Sequence, residues 1–224
     1  MPKRREPLPE PREESLFGDL SITESRERRE TVEVPPGDSL EKILADVKGS
    51  QLCGACKTGM PIVFGMGPPR ADLMIIGEGP GIDDVPSGMP FQGPAGQLLT
   101  RMLAAIGVGQ AECYICNVIK CVPPGERNFP AEEVEDCRPL LLRQVLAVGP
   151  RAIIAFGALA AQTLLRSKKP ISGLRGQLYT LRLNDREIAV IPSFNPAYLL
   201  PGRAPEKKRE AWEDLKLARD FLLK

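Results

Sequence analysis

The segment Asp72-Leu-Met-Ile-Ile-Gly77 decides the fold, and it runs directly into the turn Glu78-Gly79-Pro80-Gly81. A short apolar run that ends in glycine and proline is typical of a strand buried on both faces of a parallel sheet. Three other runs have the same character, namely Cys113 to Ile119, Arg151 to Gly157 and Ile188 to Pro192. The sequence therefore predicts four buried parallel strands.

Helical patterns separate these strands. Apolar residues recur at helical spacing in Ala95 to Ile106, Pro130 to Val148, Ala158 to Leu165 and a last segment from Pro205 to Leu223. The pair Asp38-Ser39 is expected to cap an earlier helix. Strands that alternate with helices predict an α/β fold, here a three-layer α/β/α domain around a central four-stranded parallel sheet. The ligand site of such a fold lies at the carboxyl edge of the strands.

The N-terminal residues differ in composition from the rest of the chain. They mix proline, glutamate and arginine with few apolar side chains, and such a segment cannot offset the entropy cost of ordering. We expect a disordered charged tail over residues 1–37 and one folded domain over residues 38–224. No run of about 18 apolar residues is present, and no apolar segment follows the first residues. We therefore expect a soluble cytoplasmic protein, and we expect it to act as a monomer.

The chain contains no histidine among its 224 residues, although it has 30 basic and 29 acidic side chains. This excludes Ser-His-Asp and Cys-His catalysis, histidine-ligated zinc hydrolysis and Rieske-type ligation, because each needs an imidazole. Any acid–base chemistry must use carboxylates, amides, backbone groups or water. The small basic excess outside the tail permits contact with nucleic acid but does not predict it.

The six cysteines indicate metal ligation rather than disulfides, because we expect the chain in a reducing compartment. We favour the four that lie within two residues of a glycine or proline, where tight turns let thiolates converge on one centre. These are Cys53, Cys56, Cys121 and Cys137. Spacing alone separates zinc, copper and iron–sulfur sites poorly.

A second C-x-x-C pair leaves an alternative open. Cys113 and Cys116 could complete an all-thiolate zinc site with Cys53 and Cys56. They lie in a strand-like run, however, where residues three apart point to opposite faces and would not converge on one metal. A third interpretation is that both are small buried core residues.

Polar residues and glycines follow the predicted strands at the edge where the ligand site is expected. The polar residues are Glu78, Asp83, Asp84, Asn117 and Asn195. The glycines of Gly77-x-Gly79-x-Gly81 do not form a dinucleotide fingerprint, because the third glycine is at the wrong offset and the acidic residues that follow would repel a pyrophosphate. They instead allow the backbone to approach a planar substrate closely.

Three side chains suit a nucleobase. Phe91 lies in a loop rich in glycine and proline, and an aromatic ring held there can stack on a base. Asn117 and Asn195 each offer a donor and an acceptor side by side, which matches the amide edge of a base. Each of the three could equally be a core, turn or strand-end residue without a ligand.

Taken in order along the chain, these motifs resemble the iron–sulfur uracil-DNA glycosylases of family 4. The resemblance covers residues 40–222 and includes the C-x-x-C pair and the sixteen-residue spacing from Cys121 to Cys137. Its other motifs are Gly77-Glu-Gly-Pro-Gly-Ile-Asp-Asp84, Gly88-Met-Pro-Phe-Gln-Gly-Pro-Ala-Gly-Gln-Leu-Leu99, Cys116-Asn-Val-Ile-Lys-Cys-Val-Pro-Pro124, Arg175-Gly176 and Asn195-Pro-Ala-Tyr-Leu-Leu200.

The resemblance implies a monofunctional DNA-repair glycosylase that flips uracil out of DNA and hydrolyses its N-glycosidic bond. It also implies a structural 4Fe–4S cluster on the four favoured cysteines. The catalytic residues that it implies are Glu78, Asp84 and Asn195. The substrate-binding residues that it implies are Gly77, Gly79, Phe91, Asn117 and Asn195. For contact with DNA phosphates we predict Lys120, Arg127, Arg175 and Arg203.

Two positions depart from the family pattern. Family 4 members usually have a histidine at the position of Asn195, where it would hydrogen bond uracil O2. Gly79 replaces a common alanine, and we expect this to widen the mouth of the pocket slightly. Two alternatives therefore stay open, a homologue with altered base preference, for hypoxanthine or a mispair, and a catalytically silent iron–sulfur protein that binds DNA.

Overall fold

The computed structural model describes residue 35 and residues 37–49, 61–122, 128–201 and 205–224. The predicted disordered tail therefore lies almost entirely outside the described residues. The same is true of two predicted cluster ligands, Cys53 and Cys56, and of two predicted DNA contacts, Arg127 and Arg203.

One five-stranded sheet forms the centre of the described chain, in the order β2-β1-β3-β5-β4. Its strands are β1 (Leu73–Gly77), β2 (Tyr114–Asn117), β3 (Ala152–Phe156), β4 (Tyr179–Leu183) and β5 (Arg186–Ser193). β2, β1, β3 and β5 pair in parallel, which confirms the four predicted strands. β4 pairs antiparallel with β5 at the edge, so the predicted count of four strands was one too few.

Six α-helices surround the sheet in the part of the chain that is described. They are α1 (Leu40–Gly49), α2 (Pro94–Ala105), α3 (Ala131–Val148), α4 (Ala158–Leu165), α5 (Ile171–Leu174) and α6 (Pro205–Leu222). All but the short α5 were predicted. The ends of α2, α3, α4 and α6 lie within one residue of those predicted, whereas only the start of α1 was predicted. Ser39 caps α1 as expected, because its Oγ accepts a hydrogen bond from the Lys42 amide at 3.4 Å. No described helix has both the length and the apolar content needed to cross a membrane.

The helices lie on both faces of the sheet, which confirms the three-layer architecture. Alternate residues of β1 point to opposite faces, so Met74 and Ile76 belong to one core and Leu73 and Ile75 to the other. The first core is closed by α3 and α4, and the second by α2 and α6. Because strands covered on both faces leave no room for polar side chains, the polar residues collect at the strand ends.

An ion pair fastens α1 to α3. The Arg143 guanidinium donates to both carboxylate oxygens of Asp38, at 2.9 and 2.8 Å, and to Asp46 Oδ2 at 2.7 Å. The Asp38 side chain is only 2% exposed, whereas that of Asp46 is 53% exposed. The hydrogen bonds from Arg143 hold the pKa of Asp38 below its ordinary value.

We expect Asp38→Asn to lower the free energy of unfolding at neutral pH by about 1–3 kcal/mol, because it leaves the Arg143 guanidinium short of a charged partner. The pKa of Asp38 is lowered by folding, so its contribution is present above the pKa of the unfolded carboxyl and is lost as the pH falls through the folded value. Urea denaturation from neutral to acid pH should show the two proteins converging. The control is Asp46→Asn, whose exposed pair should contribute at most about 1 kcal/mol.

Candidate active site

A cavity of about 300 Å³ opens at the carboxyl edge of the sheet, where the sequence predicted the ligand site. Its wall is built from the turn after β1, the loop that leads into α2, the end of β2 and the turn after β5. Seven residues singled out from the sequence line it: Glu78, Gly79, Asp83, Asp84, Phe91, Asn117 and Asn195. The edge of the parallel sheet thus brings together side chains that lie up to 117 residues apart in sequence.

The carboxylate of Glu78 is held between two elements. Its Oε1 accepts a hydrogen bond from the Leu159 amide in the first turn of α4, at 2.9 Å. The preceding Gly157 allows this approach, because a Cβ on that residue would lie 2.5 Å from the Glu78 carboxyl carbon. The second oxygen, Oε2, accepts from Asn195 Nδ2 at 3.2 Å. Each oxygen keeps a second lone pair, so the carboxylate can still accept a proton or orient a water.

The Asn195 amide has a defined orientation. Its Oδ1 accepts from the Ala197 amide at 3.0 Å and so caps the 3₁₀ turn Pro196–Leu199. This directs Nδ2 towards Glu78. Because an amide nitrogen carries two hydrogens, one remains to donate to a ligand in the cavity.

Asn117 ends β2 directly beside the turn that carries Glu78. The pairing of β1 with β2 continues past Gly77, since the Ile119 amide donates to the Glu78 carbonyl at 3.1 Å. The Asn117 side chain is buried and lines the cavity, and no group among the described residues hydrogen bonds its amide. A buried amide in this setting is available for a ligand.

Phe91 has a backbone conformation that is unusual for an aromatic residue, with φ at 58°. Such a conformation is strained, and its presence in a cavity wall is typical of a functional position. Two glycines make room for it. A Cβ on Gly96 would lie 1.6 Å from the Phe91 carbonyl oxygen, and a Cβ on Gly77 would lie 2.8 Å from the ring and 2.3 Å from Asn117 Oδ1. Gly77 therefore lies directly behind the side chains of Phe91 and Asn117, and any larger residue at this position would displace them.

Asp84 lines the cavity, and its carboxylate is bound by backbone amides. It is buried, and its two oxygens accept from the backbone amides of Gly81 at 3.0 Å and Gln92 at 2.8 Å. This ties the turn after β1 to the Phe91 loop. Asp83 is exposed, and its carboxylate lies against Gly93 at the start of α2. Asp84 thus organises the loops around the cavity, and its predicted catalytic role stays a prediction.

Phe129 packs against the wall residue Gly79, and the sequence reasoning missed it. Its ring lies over Gly79, so that an added Cβ there would lie 2.2 Å from the ring. The expectation that Gly79 widens the mouth of the pocket was therefore wrong, because Phe129 fills the space that a side chain would take. The glycine at position 79, where an alanine is common, was the available signal that another group packs closely there. The sequence does not identify that group.

Two predicted DNA contacts have other positions in the structure. The Lys120 side chain is fully buried, and its ammonium donates to the Asn117 carbonyl at 2.5 Å. The Arg175 guanidinium is paired with Asp214 and Glu210 of α6. Neither cation is available to a phosphate in this arrangement, and we correct both predictions accordingly. A charged residue is normally exposed, which is why the sequence indicated surface positions.

The described cysteines fit the predicted metal site in part. Cys113 and Cys116 lie in the cores on opposite faces of the sheet, so they do not converge. Burial raises the pKa of Cys113 to about 12, helped by the charge of Glu112, and burial also raises that of Cys116, which the Lys120 ammonium opposes. Cys121 and Cys137 are buried in the same core. Within the described ranges no three His, Cys, Asp or Glu groups form a metal site.

The chain that follows Cys56 lies next to Cys121. Ile62 forms a β-bridge with Cys121, and the Val63 amide donates to the Lys120 carbonyl at 2.7 Å. Four residues lie between Cys56 and Pro61, and these five residue steps span at most roughly 17 Å in an extended chain. A chain of that length allows the C-x-x-C thiols to reach Cys121, so the described residues are compatible with the predicted set of four cysteines, which stays a prediction. An all-thiolate set is of the kind that holds an iron–sulfur cluster.

Comparison with known proteins identifies relatives over most of the chain. A family model described as the uracil DNA glycosylase superfamily matches residues 64–216. The chain is 36% identical over 183 residues to a type-4 uracil-DNA glycosylase of Archaeoglobus fulgidus, covering 80% of this chain and 91% of that protein. It is 38% identical over 176 residues to a type-4 uracil-DNA glycosylase of Thermotoga maritima, covering 77% and 90% of the two chains.

Gly79 and Phe129 should be energetically coupled. We expect Gly79→Ala to destabilise the protein by about 1–3 kcal/mol, because the methyl group overpacks against the ring. The same change in a Phe129→Ala background should be close to neutral, since the ring is gone. Urea denaturation of the four proteins measures the coupling. Gly81→Ala is the control, as nothing lies within 4 Å of its added Cβ; additive effects at Gly79 and Phe129 would contradict the contact.

Proposed function

This chain belongs to the uracil-DNA glycosylase superfamily, with type-4 enzymes as its relatives, and we propose that it excises uracil from DNA by hydrolysing the N-glycosidic bond. One observation carries the proposal. Four side chains converge on one cavity at the carboxyl edge of the sheet. They are the carboxylate of Glu78, the amides of Asn117 and Asn195, and the aromatic ring of Phe91, whose backbone is strained. This combination can bind a planar base and assist the loss of an anionic leaving group.

The cavity receives the flipped base. Phe91 stacks on one face of the uracil, an interaction worth about 1–3 kcal/mol per base. The Asn117 amide pairs with the imide edge, where its oxygen accepts from N3–H and its nitrogen donates to a neighbouring carbonyl oxygen. A cytosine has a ring nitrogen without a hydrogen at that position and an amino group beside it, so its donors and acceptors face those of Asn117 unfavourably.

Bond cleavage uses Glu78 and Asn195. A water attacks C1′ of the deoxyribose, the bond from C1′ to N1 breaks, and its electron pair moves onto the base. Glu78 orients this water and takes its proton, and the negative charge of Glu78 stabilises the cationic sugar in the transition state. The free N–H of Asn195 donates to the carbonyl oxygen on which charge develops. The Leu159 amide and Asn195 hold the carboxylate in place before the reaction begins.

We assign a 4Fe–4S cluster to Cys53, Cys56, Cys121 and Cys137. These residues would hold the cluster by thiolates from the segment before Pro61, from the loop after β2 and from α3, and the cluster would supply a structural cross-link without a redox role. Lys120 precedes the proposed ligand Cys121 in the chain, and its ammonium donates to the carbonyl of Asn117, a residue of the cavity. A buried ammonium is also a suitable neighbour for a cluster that carries negative charge.

Contact with DNA phosphates is proposed for Arg127 and Arg203. Arg127 lies two residues before Phe129, whose ring covers Gly79 at the cavity. Arg203 follows Leu200, which lines the cavity, by three residues. Both cations are therefore close in sequence to the rim on which a duplex must lie, and each such contact strengthens binding without selecting a base.

The activity is tested on duplex and single-stranded DNA containing either uracil or hypoxanthine. We expect excision of uracil. Glu78→Gln, which removes the general base, should lower the single-turnover rate about 10²- to 10⁴-fold. Asn195→Ala, which removes a hydrogen-bond donor, should lower it about 10²- to 10³-fold. The control is Asn184→Gly in the turn between β4 and β5, at the opposite edge of the sheet. Excision of hypoxanthine alone would favour altered base preference, and no excision of either base would favour the silent homologue.

The cluster is tested by metal content. We expect about four irons and a brown colour in the purified protein, and loss of both in Cys137→Ser, because three thiolates hold a cubane poorly. Cys113→Ser is the matched control, since that thiol lies in the opposite core with a pKa of about 12 and should not ligate. A colourless protein with stoichiometric zinc would contradict the assignment, as would loss of colour in Cys113→Ser.

A further inference from the structure

A fully buried carboxylate lies outside the cavity and has no part in the chemistry proposed above. Asp214, on α6, has no exposed side-chain surface and accepts four hydrogen bonds. Its Oδ1 accepts from Arg175 Nη2 at 2.7 Å and from the Gly176 amide at 2.9 Å. Its Oδ2 accepts from Arg175 Nε at 3.0 Å and from Ser193 Oγ at 2.8 Å. A carboxylate satisfied in this way is a rigid junction, because each of its partners is fixed in direction.

Arg175 connects this junction to a second point on α6. Its Nη2 also donates to the Glu210 carbonyl at 2.6 Å, and its guanidinium lies 5.6 Å from the centre of the Phe194 ring. The ring is further covered by Lys207, whose ammonium is 5.4 Å from its centre. Arg175 thus contacts both α6 and the chain beyond β5.

The two residues that these groups hold are the two that precede Asn195. Ser193 is the last residue of β5, and it is fully buried with its hydroxyl bound to Asp214. Phe194 packs in a small apolar core with Leu199 and Ala211, between the turn and α6. The direction in which Asn195 leaves the sheet is therefore set from outside the cavity.

We propose that Arg175 and Asp214 are positioning residues that fix the Asn195 turn, so that its amide reaches both Glu78 and the base. This inference rests on the proposed glycosylase function for its effect on rate. Catalysis by a positioned donor is sensitive to distance, and a displacement of about 1 Å can lower the rate about 100-fold. The Asn195 amide contacts Glu78 at 3.2 Å, so a small tilt of the turn breaks this contact.

The test removes single links of the junction. Ser193→Ala deletes only the hydroxyl that binds Asp214, and Arg175→Lys keeps the charge but loses the two-pronged contact. Arg182→Ala is the matched control, because that arginine lies on the edge strand β4 and pairs with the exposed Glu187 of β5. For each variant we measure single-turnover excision of uracil well below the melting temperature, together with the affinity for a duplex containing a non-cleavable 2′-fluorinated deoxyuridine and the salt dependence of that affinity.

We expect Ser193→Ala and Arg175→Lys to lower the rate about 10- to 100-fold, with the salt slope of binding unchanged. The loss should depend on Asn195, so Ser193→Ala should have little further effect in an Asn195→Ala background. A purely structural role would instead give additive losses. Wild-type rates in both variants, or additive losses, would each overturn the proposal.

A second measurement does not depend on the activity. The Asn195 side-chain amide donates from Nδ2 to Glu78 Oε2, so the hydrogen exchange of its Nδ2 protons, measured by NMR, reports the position of the turn relative to Glu78. We expect faster exchange in Ser193→Ala than in wild type or Arg182→Ala. Unchanged exchange would overturn the proposal even if the protein excised no base, whereas faster exchange in a protein without excision would contradict only the proposed function.

Discussion

The carboxylate of Glu78 is the point on which the site depends. Glu78 follows the carboxyl end of β1. Its carboxylate accepts one hydrogen bond from the first turn of α4 and another from Asn195, beyond β5. A partly buried carboxylate must be satisfied by donors, and here the donors come from elements that only the sheet brings together. Holding this one charge therefore fixes the relative position of three segments. The same hydrogen bonds that satisfy it also leave it a free lone pair on each oxygen for chemistry.

Backbone rather than side chains forms much of the surface behind the base. Gly77, Gly96 and Gly157 each lie where a Cβ would collide with a functional group. Small residues at these positions let Phe91, Asn117 and Glu78 approach the sheet edge closely, and they also let Phe91 hold its strained backbone conformation. The strain is maintained by the surroundings, above all by Asp84, which binds amides on both sides of the loop.

Among the described residues around the site, most charged side chains have a structural role. Lys120 and Arg175 are cations that a sequence assigns to the surface, yet each is enclosed and directed at a backbone or carboxylate oxygen next to a residue of the cavity. Burying a charge in this way costs free energy, which a fixed geometry can offset only when every donor is used. In both cases the buried cation helps to fix the position of a side-chain amide: Lys120 acts on Asn117, and Arg175 acts on Asn195.

The sequence by itself determined the four parallel strands, five of the helices and the edge at which the site lies, because uniform apolar runs and helical periodicity report burial directly. It missed β4, although Tyr179, Leu181 and Leu183 alternate with polar residues, since that strand is short and half-buried. Only the tertiary structure decided that Arg175 pairs with Asp214, 39 residues away, and that Phe129 covers Gly79. Local pattern records whether a residue is buried; which group it contacts depends on how distant segments pack, and that information is not local.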